Sequence, residues 1–591
     1  MKKKILSVIL ATSLLLCGGC QKKEKDNRSD EEKFLELTNQ WFVEDVSSDY
    51  LTLHYTVANP ENFGIDLNDV EVSYGKVEVD QDDPIYKNRL SELSKINWRN
   101  LSADQQVTYK TIYDYYQLQQ AKMDLEEDYE FIFSSSGLNF NLITNLTEFV
   151  IRNHQDAVDF ITLVNDSQRY INDCLDYTRK QAEEGITQID SSIDEVIDSC
   201  KSFISKTDDN EVIRAYNEQL SKFNFSDEEQ LKKQLAEAVK TNLIPAYQSI
   251  IDFFETMKGK NKGTGAISEY KYGKQYCEVL FREKASTTTS IKTMENKLAN
   301  AIEEAIDDYL QAIYVEMSDE EYDYYYTDEY TNSYGFTKAV DIFDYLKKAI
   351  TNDFPSIDDV NYTISYLDPS IAAGSVLAYY VPTPVDDLKN NVVKVADSGA
   401  AGDDYYGYND LCVTLSHEGY PGHMLQHNYY YSNHPNQQIR YNYGYTAYAE
   451  GWAMFAENKA MEYFETNKSY LDAERAWLHF GYYLQSYVDI LVNYEGYTVE
   501  EVAGYLSKFY NDDYSMSLAK SMSEAVIGEP GELLPYAFGM LQMDELYNKT
   551  KKELGSSFDF KEYCQVILDT GDTSFNILSD IVDEYIKQKK N

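Results

Sequence analysis

Apolar positions recur at helical spacing through most of this chain. Phe34, Leu37 and Trp41 share one face behind Ser29-Asp30-Glu31-Glu32, where Ser and Glu three apart form a capping box. Ser102-Ala103-Asp104-Gln105 opens a second helix with Tyr109, Ile112 and Tyr116 on one side. From there to about residue 315 the pattern predicts long helices, with Leu298, Ile302, Ile306, Tyr309 and Ile313 the clearest run. Gly137-Leu138 and Gly263-Thr264-Gly265 mark loops. Leu51 to Val57 alternates like a strand, and Asn59 to Gly75 is loop-rich. The acidic run Asp319 to Asp328, interleaved with tyrosines, reads as a solvated surface loop. No internal repeat is present.

The texture changes between residues 358 and 397. Val360 to Tyr366, Ser375 to Val381 and Asn391 to Val395 are β-prone runs separated by Pro and Asp, which predicts a small antiparallel sheet. An edge strand there suits an extended peptide held by main-chain hydrogen bonds. From Asp410 onward the pattern is helical again.

Length and composition refine this picture. At 591 residues with 43% apolar content, the chain fits one large, mainly α, two-lobed body with a central cleft, and Gly (27) and Pro (11) are scarce. Residues 33–591 are read as a single domain, with a helical lobe over 33–340 and a second lobe over 341–591 that carries the candidate chemistry. The 54 tyrosines are first of all amphipathic filler on helices and core edges; a tyrosine-lined sugar or peptide groove is the alternative. A formal charge of −47 opposes binding to a phosphate backbone and so argues against nucleic acid.

Residues 1–19 read as a processing segment. Lys2-Lys3-Lys4 form a basic region, and Ile5 to Leu16 form an apolar stretch too short to span a bilayer comfortably. Leu16-Cys17-Gly18-Gly19-Cys20 resembles a bacterial lipobox, with Cys17 in the usual aliphatic position, making Cys20 the expected lipidated residue. Residues 20–32 form a polar tether. The expected location is outside the cytoplasmic membrane, tied to it by lipid. Cys174, Cys200, Cys277, Cys412 and Cys564 are widely spaced and odd in number, which argues against a disulfide framework or a thiolate metal site.

Histidine is concentrated in one place. Of seven in the chain, His417, His423, His427 and His434 fall within eighteen positions. Ser416-His417-Glu418-Gly419-Tyr420-Pro421-Gly422-His423 resembles an H-E-x-x-H site, in which two His one turn apart bind zinc and Glu activates water. Pro421 stands where the second His belongs. Six residues of regular helix would separate His417 and His423 by about 9 Å of rise and roughly 120°. Pro421 cannot continue a regular turn and Gly422 tolerates unusual dihedrals, so a bulge absorbing two residues would reunite the pair. His423 with His427, four apart, is the competing pair, but it leaves Glu418 without a role. His54, His154, His434 and His479 read as structural or surface residues.

The third ligand is expected from Tyr448-Ala449-Glu450-Gly451-Trp452, where Gly451 permits close backbone approach. Glu450 is assigned to the metal. Glu457, two turns along the same face, either orients a ligand or is an ordinary helix carboxylate.

His-Glu-Gly-Tyr-Pro-Gly-His followed by Ala-Glu-Gly-Trp-Ala resembles the bacterial domain-of-unknown-function 885 family, whose members look like gluzincin-type zinc metallopeptidases. Tyr379-Tyr380-Val381-Pro382, Pro530-Gly531, Tyr536, Gly539 and Phe558-Asp559 extend the resemblance over residue 33 to the C-terminus. It implies one zinc ion held by His417, His423 and Glu450, with Glu418 catalytic. Where the family pattern expects His, this chain has Asn493 and Cys564; if either His supports the transition state, the resemblance implies a site that is slower, altered in specificity or inactive.

The expected function is therefore a membrane-anchored, extracytoplasmic zinc metallopeptidase. Glu418 would shuttle the proton to the leaving nitrogen. Tyr536 is the candidate oxyanion donor, or else one packed tyrosine among many. The rival is a catalytically weak or inactive lipoprotein that binds peptide or metal. A tyrosine-lined glycan-binding protein is a third reading.

Overall fold

The structure, a computed structural model, describes residues 28–77, 84–125, 127–206, 210–357, 360–367, 377–396, 407–465 and 467–591. The leader over residues 1–19, Cys17, Cys20 and the tether up to Asn27 lie outside the described residues.

The architecture is mainly α, as the spacing predicts. Both capping boxes form: Ser29 and Glu32 start the helix Asp30–Val46, and Ser102 and Gln105 start Ala103–Met123. The 30-residue helix His154–Glu183 and the hairpin of later helices around it bury one continuous apolar core from Phe133 to Met257. Ile291–Gln311 buries Leu298, Ile302 and Ala305, and packs lengthwise on Lys468–Asp489.

Two local expectations are corrected. Leu51 to Val57 is not a strand; Tyr50–Thr56 is a helix, capped by Asp49 on the Thr52 N–H at 2.8 Å. Tyr50, Leu53 and His54 bury together at helical spacing, and a seven-residue window cannot separate that period from a strand's. The acidic run is likewise ordered rather than loop. Ser318 and Glu321 make a capping box on Asp319–Tyr325, which keeps Asp319, Glu320 and Asp323 in solvent while Tyr322 and Tyr325 pack at steep angles against the ring of Tyr326.

The sheet is mixed rather than antiparallel. β1 (Asn361–Tyr366), β2 (Ala378–Val381) and β3 (Asn390–Val395) lie in the order β1-β3-β2. β1 runs parallel to β3 with Thr363 opposite Val392, whereas β2 runs antiparallel to β3 with Tyr380 opposite Val393. The alternation of each run fixes its buried face but not its neighbour, so pairing direction was not readable. Ala378, Tyr380, Val393 and Val395 face the core, and β2 is the edge strand beside the helix Tyr408–Glu418.

Five cysteines, Cys174, Cys200, Cys277, Cys412 and Cys564, are buried free thiols. Among the described residues no helix is long and apolar enough to cross a membrane.

Candidate metal centre

The site begins where a helix is forced to stop. Tyr408–Glu418 ends at Gly419 (φ −112°, ψ −101°), and His423–Asn433 begins after Gly422 (φ −79°, ψ −131°). Between them the Tyr420–Pro421 peptide is cis. The loop folds back on the helix it leaves: the Gly422 N–H donates to the Ser416 carbonyl at 2.9 Å. A Cβ on Gly422 would stand 1.7 Å from the His417 carbonyl oxygen, so only glycine fits. The fully buried Trp452 fixes the loop from the other side, its indole N–H donating to the Pro421 carbonyl at 3.2 Å. The two extra residues are thus absorbed in a break between two helices, not in a bulge within one.

This break sets the imidazoles of His417 and His423 with ring centroids 4.8 Å apart and nearly perpendicular. Glu450 reaches them from the helix Thr446–Phe464. That helix crosses Leu534–Leu554 backbone to backbone, since a Cβ on Gly451 would lie 2.7 Å from the Gly539 carbonyl. Glu450 Oε2 is 3.2 Å from His417 Nε2 and 3.4 Å from His423 Nε2. Ligand atoms of the three residues all lie within 4.8 Å of one another. A tetrahedron with bonds of about 2.1 Å has edges of about 3.4 Å, so these spacings fit one small divalent ion. Two imidazoles and a carboxylate, with no thiolate, suit zinc and leave a fourth position open.

Glu457 lies against the far nitrogen of His417. Its Oε2 accepts from His417 Nδ1 at 3.0 Å, which turns Nε2 toward Glu450. At 5% exposure Glu457 is not an ordinary solvated carboxylate. Removing such a partner weakens metal binding by about 10–100-fold. Glu457→Gln should therefore show that loss in a zinc-competition titration while the apo protein keeps its fold. Unchanged affinity would mean that Glu457 only packs.

Burial dominates the electrostatics. It disfavours charge on His417, yet the hydrogen bonds to Glu450 and Glu457 outweigh it and raise the imidazole well above its ordinary range. His423 is raised in the same way by Glu450, against burial. Burial alone would raise Glu450, but the His423 and His417 charges hold it below the usual carboxylate range. In the metal-free protein a cation therefore competes with protons at both imidazoles. Zinc affinity should climb steeply with pH, by up to about a hundredfold per unit while both are protonated, and fall as pH drops. Isothermal titration in buffers of different ionisation enthalpy counts the released protons; none released would contradict the ligand assignment.

Glu418 points into the same space. It is half-buried, and its Oε2 accepts the Tyr380 N–H at 2.8 Å from the outer edge of β2. Burial raises its carboxyl, with the two His charges opposing. Tyr536 stands with its ring centroid 6.2 Å from that of His417 and stacks on Tyr482 at 5.5 Å. Both tyrosines are raised by burial and by nearby carboxylates, including Glu450 and Glu418.

The remaining histidines stay outside. His427 Nε2 meets the Thr383 carbonyl at 3.0 Å, and burial lowers its imidazole to about 4. Asn493 is buried elsewhere, accepting from the Ile267 N–H and donating to Asp489 and the Val526 carbonyl. Cys564 is buried in the apolar core, so neither it nor Asn493 replaces a cluster residue. Sequence reasoning missed Tyr482, the Tyr380 N–H, and the Gln426 side chain, which bridges His423 Nδ1 (3.5 Å) and Asp572 (3.4 Å).

Fold and cluster together define a large helical protein built around a candidate two-His, one-Glu metal centre. The chain belongs to the family described as bacterial protein of unknown function (DUF885), whose pattern matches residues 64–582. It resembles the crystal structure of a presumed lipoprotein from Colwellia psychrerythraea, at 16% identity and a TM-score of 0.77, over 95% of this chain and 100% of that one. A presumed lipoprotein of unknown function from Shewanella oneidensis is similar at 15% identity and a TM-score of 0.59, over 93% and 99%. At these identities the likeness concerns the fold. No curated protein matches the sequence.

Proposed function

We propose that this protein is a zinc-dependent hydrolase of peptide or other amide bonds, anchored by lipid outside the cytoplasmic membrane. The observation that carries the reading is the convergence of His417, His423 and Glu450 with Glu418 on the adjoining residue. A zinc ion bound there would supply Lewis acidity and bring the pKa of water toward about 7.

The chain's own groups divide the remaining work. Glu418, held through one oxygen by the Tyr380 N–H, has the other free to take a proton from water and return it to the leaving nitrogen. The hydroxyls of Tyr536 and Tyr482 supply donors for the developing oxyanion. The outer edge of β2, next to Glu418, supports an extended peptide through main-chain hydrogen bonds. Asn493 and Cys564 were the observations favouring a degenerate, merely binding lipoprotein; neither contacts the cluster, so the hydrolase is the better supported reading.

The test pairs metal content with turnover of a mixed peptide library by wild type and Glu418→Gln. Bound zinc with no Glu418-dependent cleavage would sink the peptidase. The anchor is supported by the basic, apolar and lipobox-like sequence ending at Cys20, and by the description of the two similar structures as presumed lipoproteins. Cys20→Ser should leave the full-length protein without incorporated palmitate; labelling that persists would place the lipid elsewhere or remove it from the reading.

A further inference from the structure

A cavity lies along the two segments that carry Tyr482 and Tyr536. Along the helix Lys468–Asp489, Tyr482 faces the metal centre, and Gln485, Ser486 and Asp489 follow three, four and seven residues on, continuing the same face into a cavity of about 210 Å³. The opposite wall continues from Tyr536 to Glu532, four residues back, whose carboxyl feels the Glu450 charge. These two segments lead from the cluster to the cavity, and its role in selecting substrate rests on the hydrolase reading.

Its chemistry has one sign. Glu195, Glu524, Glu529, Glu532 and Asp489 line it, and no Lys, Arg or His does. Glu529 is satisfied by Ser135 and Ser136, and Asp489 by Asn493 and the Gly531 N–H. Exposed Lys520 lies 4.0 Å from Glu524, and the Lys284 charge reaches Glu532 from behind the wall. Glu195 has no ion pair or hydrogen bond among the described residues, and Glu529 and Glu524 add like charge to it. One buried serine in the lining, Ser486 at 1% exposure, leaves its hydroxyl unpaired. An unpaired hydroxyl acceptor among surplus carboxylates makes a receptor for N–H donors carrying positive charge. A volume of about 210 Å³ has room for an organic ammonium or guanidinium group.

We propose that this cavity is a specificity subsite for a cationic group of the substrate, an ammonium or guanidinium, held between Glu195 and Glu532. The group belongs either to a Lys or Arg side chain or to a free amino terminus.

Binding to zinc-loaded protein of L-argininamide and its neutral isostere L-citrullinamide, each free and Nα-acetylated, tests this without requiring turnover. Wild type should prefer the cation by about tenfold. The preference should vanish in the Glu195→Gln/Glu532→Gln variant, whose unfolding midpoint is measured alongside as the folding control. Preference surviving acetylation assigns the side chain. If acetylation abolishes binding of both amides, the amino terminus is assigned, and its loss in the same variant is then required. Equal affinities in the acetylated pair with no amine dependence, or a preference that survives the double variant, would overturn the subsite. Cleavage of peptides without cation preference removes the subsite alone. Variant-sensitive cation binding with no cleavage of any peptide removes the hydrolase and keeps the cation site.

Discussion

Glu418→Gln should lower peptide turnover by about 10²- to 10⁴-fold while zinc stays bound. The substitution keeps an oxygen for the Tyr380 N–H, so the side chain remains aimed as in the wild type. It removes only the proton acceptor. Burial holds the Glu418 carboxyl above its ordinary value, which means that folding disfavours its charged form. A group whose pKa is raised on folding, being an acid, costs stability above its unfolded pKa. Gln carries no such cost, so the variant should melt no lower than wild type at neutral pH. Loss of turnover with unchanged metal content and melting temperature isolates the chemical step. Turnover within a few-fold of wild type would remove Glu418 from the mechanism.

His423→Ala should abolish stoichiometric zinc binding, and with it the stabilisation that zinc confers. A ligand that binds only the folded state at a hundredfold over its Kd stabilises it by about 2.7 kcal/mol. Wild type should therefore gain about 2 °C of melting temperature on addition of zinc, and His423→Ala none. The matched control is His427→Ala. His427 is committed to the Thr383 carbonyl and is kept neutral by burial, so its loss should spare the zinc response. A reversed pattern would favour the His423–His427 pair.

The candidate metal centre was largely legible because its irregularity is written in residue types. Pro421 and Gly422 cannot continue a helix, and they sit where two extra residues had to be lost. Gly451 likewise announces a close approach, though not that Gly539 meets it. Glu457 shares a face with Glu450 by spacing alone. Tyr482 carried no such signal: one tyrosine among 54 gains meaning only when Lys468–Asp489 turns it toward Glu450. The Tyr380 N–H is a backbone group, so no side chain marks it; only the register of β2 on β3 leaves it facing Glu418. Sheet direction failed for a related reason, since alternation encodes a buried face and not a partner. Asn493 and Cys564 were aligned by position in the chain, and Asn493 spends its amide on Ile267, Asp489 and Val526 while Cys564 packs in the apolar core.

Anomalous diffraction from crystals of the zinc-loaded protein tests the central assignment most directly. One peak should lie about 2.0–2.2 Å from His417 Nε2, His423 Nε2 and a Glu450 oxygen. A peak shared by His423 and His427, or none near Glu450, would contradict it.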